Sequence, residues 1–178
     1  MTIYALSSGP GVSGVAIIRI SGKETQNVIK LLTGKSVPPA RMATLRKVNY
    51  INTSELIDEG IIIWFPGPDS YTGEDMAEIH VHGGKAVVFT VQNEISKIEN
   101  CRLAEPGEFT KLAFQNGKIN LLKAESIADL ISAETEIQRL QANMKSIEFR
   151  YHIWPKLMLW FGDRKKLSDA AFLFIKVN

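Results

Sequence analysis

Cysteine is nearly missing from this sequence of 178 residues, which contains a single one, Cys101. One thiol cannot form an internal disulfide framework or supply the paired cysteines of a zinc ribbon, and its rarity is typical of reducing compartments. No run of about eighteen apolar residues is present, the length needed to span a bilayer as a helix. The start, MTIYALSSGPG, lacks the basic and apolar regions of a signal peptide. These absences predict a cytoplasmic protein that does not bind a membrane.

An excess of charge of one sign is also missing, because 21 basic and 19 acidic residues leave a net charge of +2. So small an excess neither indicates nor excludes a nucleic-acid partner. The hydrophobic fraction of 45% is that of a globular protein able to bury a core. The length fits one ordinary domain, or one domain and part of another.

The apolar pattern predicts a mixed α+β region followed by helix alone. β-Branched or alternating segments predict strands in TIYAL, GVAIIRIS, LRKVNYINT, DEGIIIWF and MAEIHVH. Helical spacing predicts helices in GKETQNVIKLLTGK and KAVVFTVQNEISKIEN, and a short one in TKLAFQNGK. Asn120 is a suitable N-cap for one long helix, LLKAESIADLISAETEIQRLQANMKS, whose apolar stripe includes Ile127 and Ile131.

Two segments have glycines spaced like those of phosphate-binding loops, but their contexts are wrong. GPGVSG, residues 9–14, has dinucleotide-loop spacing, yet a strand-like segment follows where that motif requires a helix. A tight turn between strands is the simpler interpretation. Gly34-Lys35-Ser36 ends like a P-loop, but Ile29 stands where the first glycine must be and prolines follow. We therefore expect no GTP binding of the P-loop kind.

The densest set of polar and flexible residues is FPGPDSYTGEDMAEIHVHGG, residues 65–84. Because side chains alternate along a strand, Glu78, His80 and His82 should share one face. A carboxylate with two histidines could form a metal-ligand set. Histidines two residues apart are also common on ordinary strands, so the pattern alone does not decide for a metal.

The acids of this segment allow another interpretation. Two among Glu74, Asp75 and Glu78 could act as a general acid and base. Acids in a turn more often face solvent or accept hydrogen bonds from the local backbone. We expect this simpler behaviour of Glu74 and Asp75.

Three segments together resemble one family. GVAIIRISG, WFPGPDSYTGEDMAEIHVHGG and AEPGEFTKLAFQNGKINLLKAESIADLISAET have the order and spacing of the N-terminal part of MnmE, also called TrmE, the tRNA-modifying GTPase of bacteria and mitochondria. The resemblance covers about residues 1–145. It implies an α+β fold with a mixed β-sheet and flanking helices, similar to the folate domain of the glycine-cleavage aminomethyltransferase. Residues 1–118 would form a tetrahydrofolate-binding and dimerisation domain, and residues 119–178 the start of an incomplete helical domain with a long helix.

The resemblance also implies a ligand and its contacts. The family holds a one-carbon tetrahydrofolate derivative, formyl- or methylene-tetrahydrofolate, near its dimer interface, and Arg19, Glu78 and Lys118 match its folate contacts. Glu78 would accept hydrogen bonds from the exocyclic amine and ring N–H of the pterin. Arg19 and Lys118 would suit folate's carbonyls or glutamate tail; the ordinary alternatives are a strand-end salt bridge and a helix-terminal charge. The loop GPDSYTGED would close over the site, and His80 and His82 would pack or anchor a loop.

Implied partners are a second copy of the chain, the flavoprotein MnmG (GidA) and, in the full complex, tRNA. Together the family proteins build an aminomethyl-type group on the wobble uridine. GTP, potassium and magnesium belong to a Ras-like G domain that this sequence lacks. Residues 146–178 depart from the family pattern. A divergent or truncated end explains their basic and aromatic residues most simply, and an RNA-stacking tail is the alternative.

The expected function is that of the tetrahydrofolate-binding module of a tRNA wobble-uridine modification GTPase, without GTPase activity of its own. The modification would be of the 5-carboxymethylaminomethyl type. A standalone folate-dependent protein resembling the aminomethyltransferase is one alternative. A non-catalytic remnant that only dimerises is the other.

Overall fold

A computed structural model describes residues 1–9 and 11–146, and in it the chain divides into two compact units. The first unit is Met1–Ile119, and the second begins at Asn120. The basic and aromatic segment after residue 146, for which an RNA-stacking tail was one interpretation, lies outside the described residues. Within the described part of the chain, every helix is too short or too polar to cross a membrane.

The described residues of the first unit form one six-stranded sheet with three helices. The strands are β1 (Thr2–Leu6), β2 (Ser13–Ser21), β3 (Thr44–Asn49), β4 (Leu56–Phe65), β5 (Met76–Gly83) and β6 (Cys101–Leu103). The helices are α1 (Thr25–Thr33), α2 (Lys85–Ser96) and α3 (Glu108–Gln115). The strand order is β3-β4-β5-β2-β1-β6, antiparallel except where β1 meets β6. The predicted α+β fold with a mixed sheet is confirmed, whereas its likeness to the aminomethyltransferase folate domain stays a prediction.

The two faces of this sheet differ because side chains alternate along each strand. One face forms the apolar core, in which buried residues of α1 and α2 cluster with those of the central strands: Ile18, Ile20, Ile62, Ile79, Val28, Ile29, Leu32, Val91 and Ile95. The opposite face carries Arg19, Glu78 and His80, all of which are only partly buried. Function is therefore to be sought on this second face.

A buried carboxylate joins α2 to the turn between β3 and β4. Glu94 is 1% exposed and accepts hydrogen bonds from Lys97 Nζ and, at 3.0 Å, from the backbone N–H of Ile51. Burial raises the pKa of Glu94, but the hydrogen bonds from Lys97 and Ile51 outweigh it and leave the pKa below its usual value. The carboxylate is therefore held in its charged form.

The second unit shows that the prediction of one long helix is wrong. Two helices, α4 (Leu121–Ser132) and α5 (Glu136–Ser146), pack against each other after a break in which Ala133 is extended. The cause is a capping box, since Thr135 Oγ1 accepts from the N–H of Gln138 at 3.3 Å and Gln138 Oε1 accepts from that of Thr135 at 3.0 Å. The N-cap predicted at Asn120 is confirmed by the 2.8 Å bond that it accepts from the N–H of Lys123.

Candidate functional site

An ion pair on the partly open face of the sheet is the centre of the candidate site. Arg19 on β2 lies directly across from Glu78 on β5. Both Nε and Nη2 of Arg19 donate to Glu78 Oε1, at 3.1 and 2.7 Å. The side chains are 32% and 17% exposed, so the pair is reachable from solvent but well shielded. The structure thus brings together two of the three residues that the sequence predicts for the site.

Two aromatic rings lie near the guanidinium group. The Arg19 Cζ atom lies 5.9 Å from the ring centroid of Tyr71 and also 5.9 Å from that of Phe109. Tyr71 belongs to the loop before β5, and Phe109 lies in the first turn of α3. A hydrogen bond joins this loop to α3, since Tyr71 Oη and Thr110 Oγ1 are 3.0 Å apart. Cation–π attraction therefore adds to the ion pair in fixing Arg19.

Sequence reasoning missed both rings as parts of the site. Each stands in a segment that carries the family resemblance, SYTGED or PGEFTK, and that position was the only signal that could have found them. Spacing could not, because Tyr71 and Phe109 approach each other only through the tertiary fold.

The loop that supplies Tyr71, residues 66–75, is fixed to β2 by a buried hydroxyl pair. Ser21 and Thr72 are both 0% exposed, and their hydroxyl oxygens lie 2.7 Å apart. Glu74 closes a ring around them: its N–H donates to Thr72 Oγ1, and its Oε2 accepts from Ser21 Oγ, both at 3.3 Å. Each hydroxyl can then donate one bond and accept one. Glu74 is partly exposed, and its bond from Ser21 adds a contact that the expectation of a solvated turn did not include.

Further anchors hold the two ends of the same loop. Asp75 accepts from the backbone N–H of Gly67 at 2.9 Å and from Gln26 Nε2 at 2.8 Å, which confirms its predicted role as a local backbone acceptor. Arg41 donates to the carbonyl of Asp69. Hydrogen bonds therefore hold the loop to α1, β2, α3 and the segment before β3. Residues 66–75 form one wall of the candidate site, beside Arg19.

Lys118, the third predicted contact, lies against this wall. Its aliphatic stem covers Gly73, where an added Cβ would lie 3.2 Å from Lys118 Cε. Gly73 also has a φ of +83°, so glycine suits the position for two reasons. Two residues before Lys118, Asn116 Nδ2 donates to the carbonyl of Thr72 at 2.7 Å. Among the described residues, Lys118 makes no ion pair with Glu78, and it joins the site only through the loop.

The two histidines of β5 do not form a metal site with Glu78. His80 Nε2 lies 3.3 Å from Glu78 Oε2, but His82 turns to Asp58, with 2.8 Å between His82 Nδ1 and Asp58 Oδ1. Within residues 1–9 and 11–146, no three His, Cys, Asp or Glu side chains converge as a metal would require. The metal interpretation of Glu78, His80 and His82 is therefore wrong as a ligand set.

Asp58 shows what His82 does instead. Besides the ring contact, the carboxylate accepts from the backbone N–H groups of His82 and Glu59, each at 2.8 Å. Burial raises the pKa of Asp58, but these hydrogen bonds outweigh it and lower the pKa overall. His82 thus joins the end of β5 to β4, a contact between strands and not the packing or loop anchoring expected of the histidines.

The site retains unused hydrogen-bonding capacity of both kinds. Glu78 Oε1 is filled by the two donors of Arg19, whereas Oε2 has only the long contact with His80 and can accept again. In the described part of the chain, Arg19 Nη1 has no hydrogen-bond acceptor. A flat ligand with both a donor and an acceptor on one edge would find partners here, beside two aromatic rings.

Comparison with known proteins places this site in a defined segment. A family model described as "GTP-binding protein TrmE N-terminus" matches residues 2–118. The chain is 78% identical to the tRNA modification GTPase MnmE of Pelagibacter ubique over 162 residues, which cover 89% of this chain and 37% of that relative. The MnmE of Sinorhizobium medicae is 52% identical over 138 residues, 78% of this chain and 31% of the relative.

A mitochondrial human relative is similar as well. The 5-taurinomethyluridine-[tRNA] synthase subunit GTPB3 is 50% identical over 142 residues, which cover 79% of this chain and 29% of that protein. The chain thus spans about a third of the length of the curated relatives it matches. The matched segment 2–118 includes Lys118 and all four residues of the candidate site, which are Arg19, Tyr71, Glu78 and Phe109.

Proposed function

The chain belongs to the family of the GTP-binding protein TrmE N-terminus, and we propose that it binds a one-carbon tetrahydrofolate. Formyl- or methylene-tetrahydrofolate would occupy the face of the sheet at Arg19 and Glu78. In this role the chain is the folate-binding module of a tRNA wobble-uridine modification GTPase. The observation that carries the proposal is a partly exposed carboxylate paired with a guanidinium that lies near two aromatic rings, inside the segment that the family model matches.

The residues present fit a pterin in shape and in polarity. A pterin offers an exocyclic amine and a ring N–H, which suit the carboxylate of Glu78, and folate has a side-chain carbonyl beyond the pterin, which suits the unpaired Nη1 of Arg19. The rings of Tyr71 and Phe109 provide flat apolar surface at the same place. Lys118 is a cation for the glutamate tail. The bound folate would supply a one-carbon unit, and the residues named here would bind and orient it.

A titration of the purified chain with formyl-tetrahydrofolate, followed by calorimetry, tests this proposal. Glu78→Gln should weaken binding by about 1.5–3 kcal/mol, roughly ten- to a hundredfold, because a charge-assisted pair is lost and an amide donor faces the donors of the ligand. Glu74→Gln is the matched control, since glutamine retains an acceptor for the long bond from Ser21. Equal affinities for wild type and Glu78→Gln would remove Glu78 from the pterin site.

Two further controls sharpen the result. Thermal unfolding of Glu78→Gln must show a folded chain, because the substitution also removes the partner of Arg19. A chelator should leave binding unchanged, and His82→Ala should cost far less than Glu78→Gln, since His82 contacts Asp58 and not Glu78. A loss of binding with the chelator would favour a metal-dependent site instead.

For the larger assembly we propose a homodimer that acts in the cytoplasm with the flavoprotein MnmG on tRNA. Two apolar residues on the face of Glu78 support a self-association surface: Leu45 is 64% exposed and Ile61, its neighbour across β3 and β4, is 39% exposed. Exposed apolar area of this kind is typical of protein interfaces. GTP, potassium and magnesium would bind the G domain of longer family members and not this chain.

A further inference from the structure

The contact between Arg19 and Glu78 imitates the contact proposed for the ligand. Two N–H groups of Arg19, Nε and Nη2, point from one side of its guanidinium group to Glu78 Oε1. A pterin presents a closely similar edge, because its exocyclic amine and ring N–H share one carbon, as the nitrogens of a guanidine do. Oε1 has two lone pairs, and Arg19 fills both. The protein's own guanidinium and the ligand's donor edge therefore compete for one carboxylate.

We propose that Arg19 is an internal competitor, which a ligand must displace from Glu78 by presenting a guanidine-like donor edge. This inference rests on the proposed function and adds a basis for selectivity to it. Rings with an amine beside a ring N–H can replace the two bonds that Arg19 gives up. A ring with a carbonyl in place of the amine would turn an oxygen toward the carboxylate and cannot replace them.

The flanking rings make such an exchange feasible. Their attraction for the guanidinium is additional to the ion pair, since each centroid lies 5.9 Å from Arg19 Cζ. Tyr71 is itself held by Thr110, so its ring stays beside the guanidinium when the ion pair opens. Arg19 leaves Glu78 but stays in the site, where it can donate to a carbonyl of the ligand. Arg19 thus pairs with Glu78 in the free site and contacts the ligand in the bound site.

Charged and titratable groups around Glu78 leave Arg19 as the main competitor. His80 is the other neighbour, but its Nε2 lies 3.3 Å from Oε2, a longer contact than the 2.7 Å of Arg19 Nη2 to Oε1. Lys118 faces Gly73 and the loop. Removing the guanidinium therefore frees one carboxylate oxygen of Glu78 completely, and this is the step that an experiment can isolate.

The test uses two ring fragments that lack the glutamate tail. Pterin has the donor edge, and lumazine has the same fused rings with an oxygen in place of the exocyclic amine. Arg19→Met removes the competitor and keeps an unbranched apolar stem beside the rings. We expect pterin to bind Arg19→Met about tenfold more tightly than wild type, the value of one charge-assisted hydrogen bond. Lumazine should gain nothing, and Arg139→Met, which opens the pair of Arg139 with Glu136 in the second unit, should change neither affinity.

Complete formyl-tetrahydrofolate should respond in the opposite direction. It alone carries the side-chain carbonyl and glutamate tail that Arg19 would contact after leaving Glu78, so it loses this contact in Arg19→Met and its affinity should be lower than for wild type. Pterin binding that is equal or weaker in Arg19→Met would overturn the inference. If wild type binds formyl-tetrahydrofolate in a Glu78-dependent manner and pterin still gains nothing, the inference fails and the proposed function stands. Absence of any binding by wild type refutes both.

A second measurement needs no variant and remains decisive if Arg19→Met does not fold. The side-chain Nε–H resonance of Arg19 in nitrogen-15 spectra reports its hydrogen bond to Glu78. Saturating the chain with pterin should shift this resonance, whereas lumazine at equal concentration should not. A resonance that stays in place when the site is saturated with formyl-tetrahydrofolate would mean that Arg19 remains on Glu78, and the inference would be wrong.

Discussion

The hydroxyl pair of Ser21 and Thr72 offers a sharp test of how the loop beside the site is held. Both side chains are 0% exposed and 2.7 Å apart, so removing one hydroxyl leaves the other buried with fewer partners. A stranded buried hydroxyl costs about 1–3 kcal/mol, and we expect this loss in the free energy of unfolding for Ser21→Ala and for Thr72→Val. The double variant removes both groups at once, so its cost should be about 1 kcal/mol less than the sum.

Urea unfolding followed by far-ultraviolet circular dichroism gives the three free energies of this double-mutant cycle. Thr44→Val is the control, because the hydroxyl of Thr44 makes only an exposed 3.3 Å bond to the carbonyl of Met42. We expect its effect to stay within about 0.5 kcal/mol. Additive costs in the cycle, or single costs no larger than that of the control, would refute the reasoning that the two hydroxyls depend on each other.

The other predictions concern stability, association and nucleotide. Glu94→Ala should lower the free energy of unfolding by about 1–3 kcal/mol at neutral pH, because the N–H of Ile51 loses its acceptor. Folding lowers the pKa of Glu94, so the contribution of its carboxylate to stability is lost as pH falls through the folded-state pKa. Denaturation at a series of pH values should therefore show the stability deficit of Glu94→Ala shrinking toward low pH. A constant deficit would contradict this. Light scattering should report a dimer that Leu45→Lys weakens, whereas a monomer at high concentration would count against the interface. Calorimetry with GTP and magnesium should detect no stoichiometric micromolar site in this chain.

Strands were the most predictable part of the fold, because each has a strong local signal. The alternating segment MAEIHVH became β5, and the β-branched GVAIIRIS became β2. The short β6, Cys101–Leu103, was missed, since three residues carry no usable periodicity and its place beside β1 is decided by tertiary pairing. The break before α5 had a local signal, the capping box that begins at Thr135, but the continuing apolar stripe concealed it.

The sequence pointed to the two charged residues of the candidate site, but not to their mutual contact or to the two rings near them. Motif resemblance identified Arg19 and Glu78, yet no pattern showed that the free chain pairs them, because the pairing follows from the register of β2 on β5. For the same reason strand alternation placed His80 and His82 on one face but could not show that His82 turns to Asp58. Residue type and spacing define a set of candidates, and tertiary partners decide which chemistry each can perform.

The loop at residues 66–75 should affect both the stability of the fold and the binding of the ligand. The buried hydroxyls of Ser21 and Thr72 flank the positions of two site residues, since Arg19 lies two residues before Ser21 and Tyr71 directly precedes Thr72. Loosening this pair would therefore disturb Tyr71 and Arg19 together, although neither is altered. If the wall is preformed, Ser21→Ala should weaken formyl-tetrahydrofolate binding as well as stability, whereas a loop that folds only around its ligand would retain affinity. Parallel calorimetry and urea unfolding of Ser21→Ala distinguish these two cases.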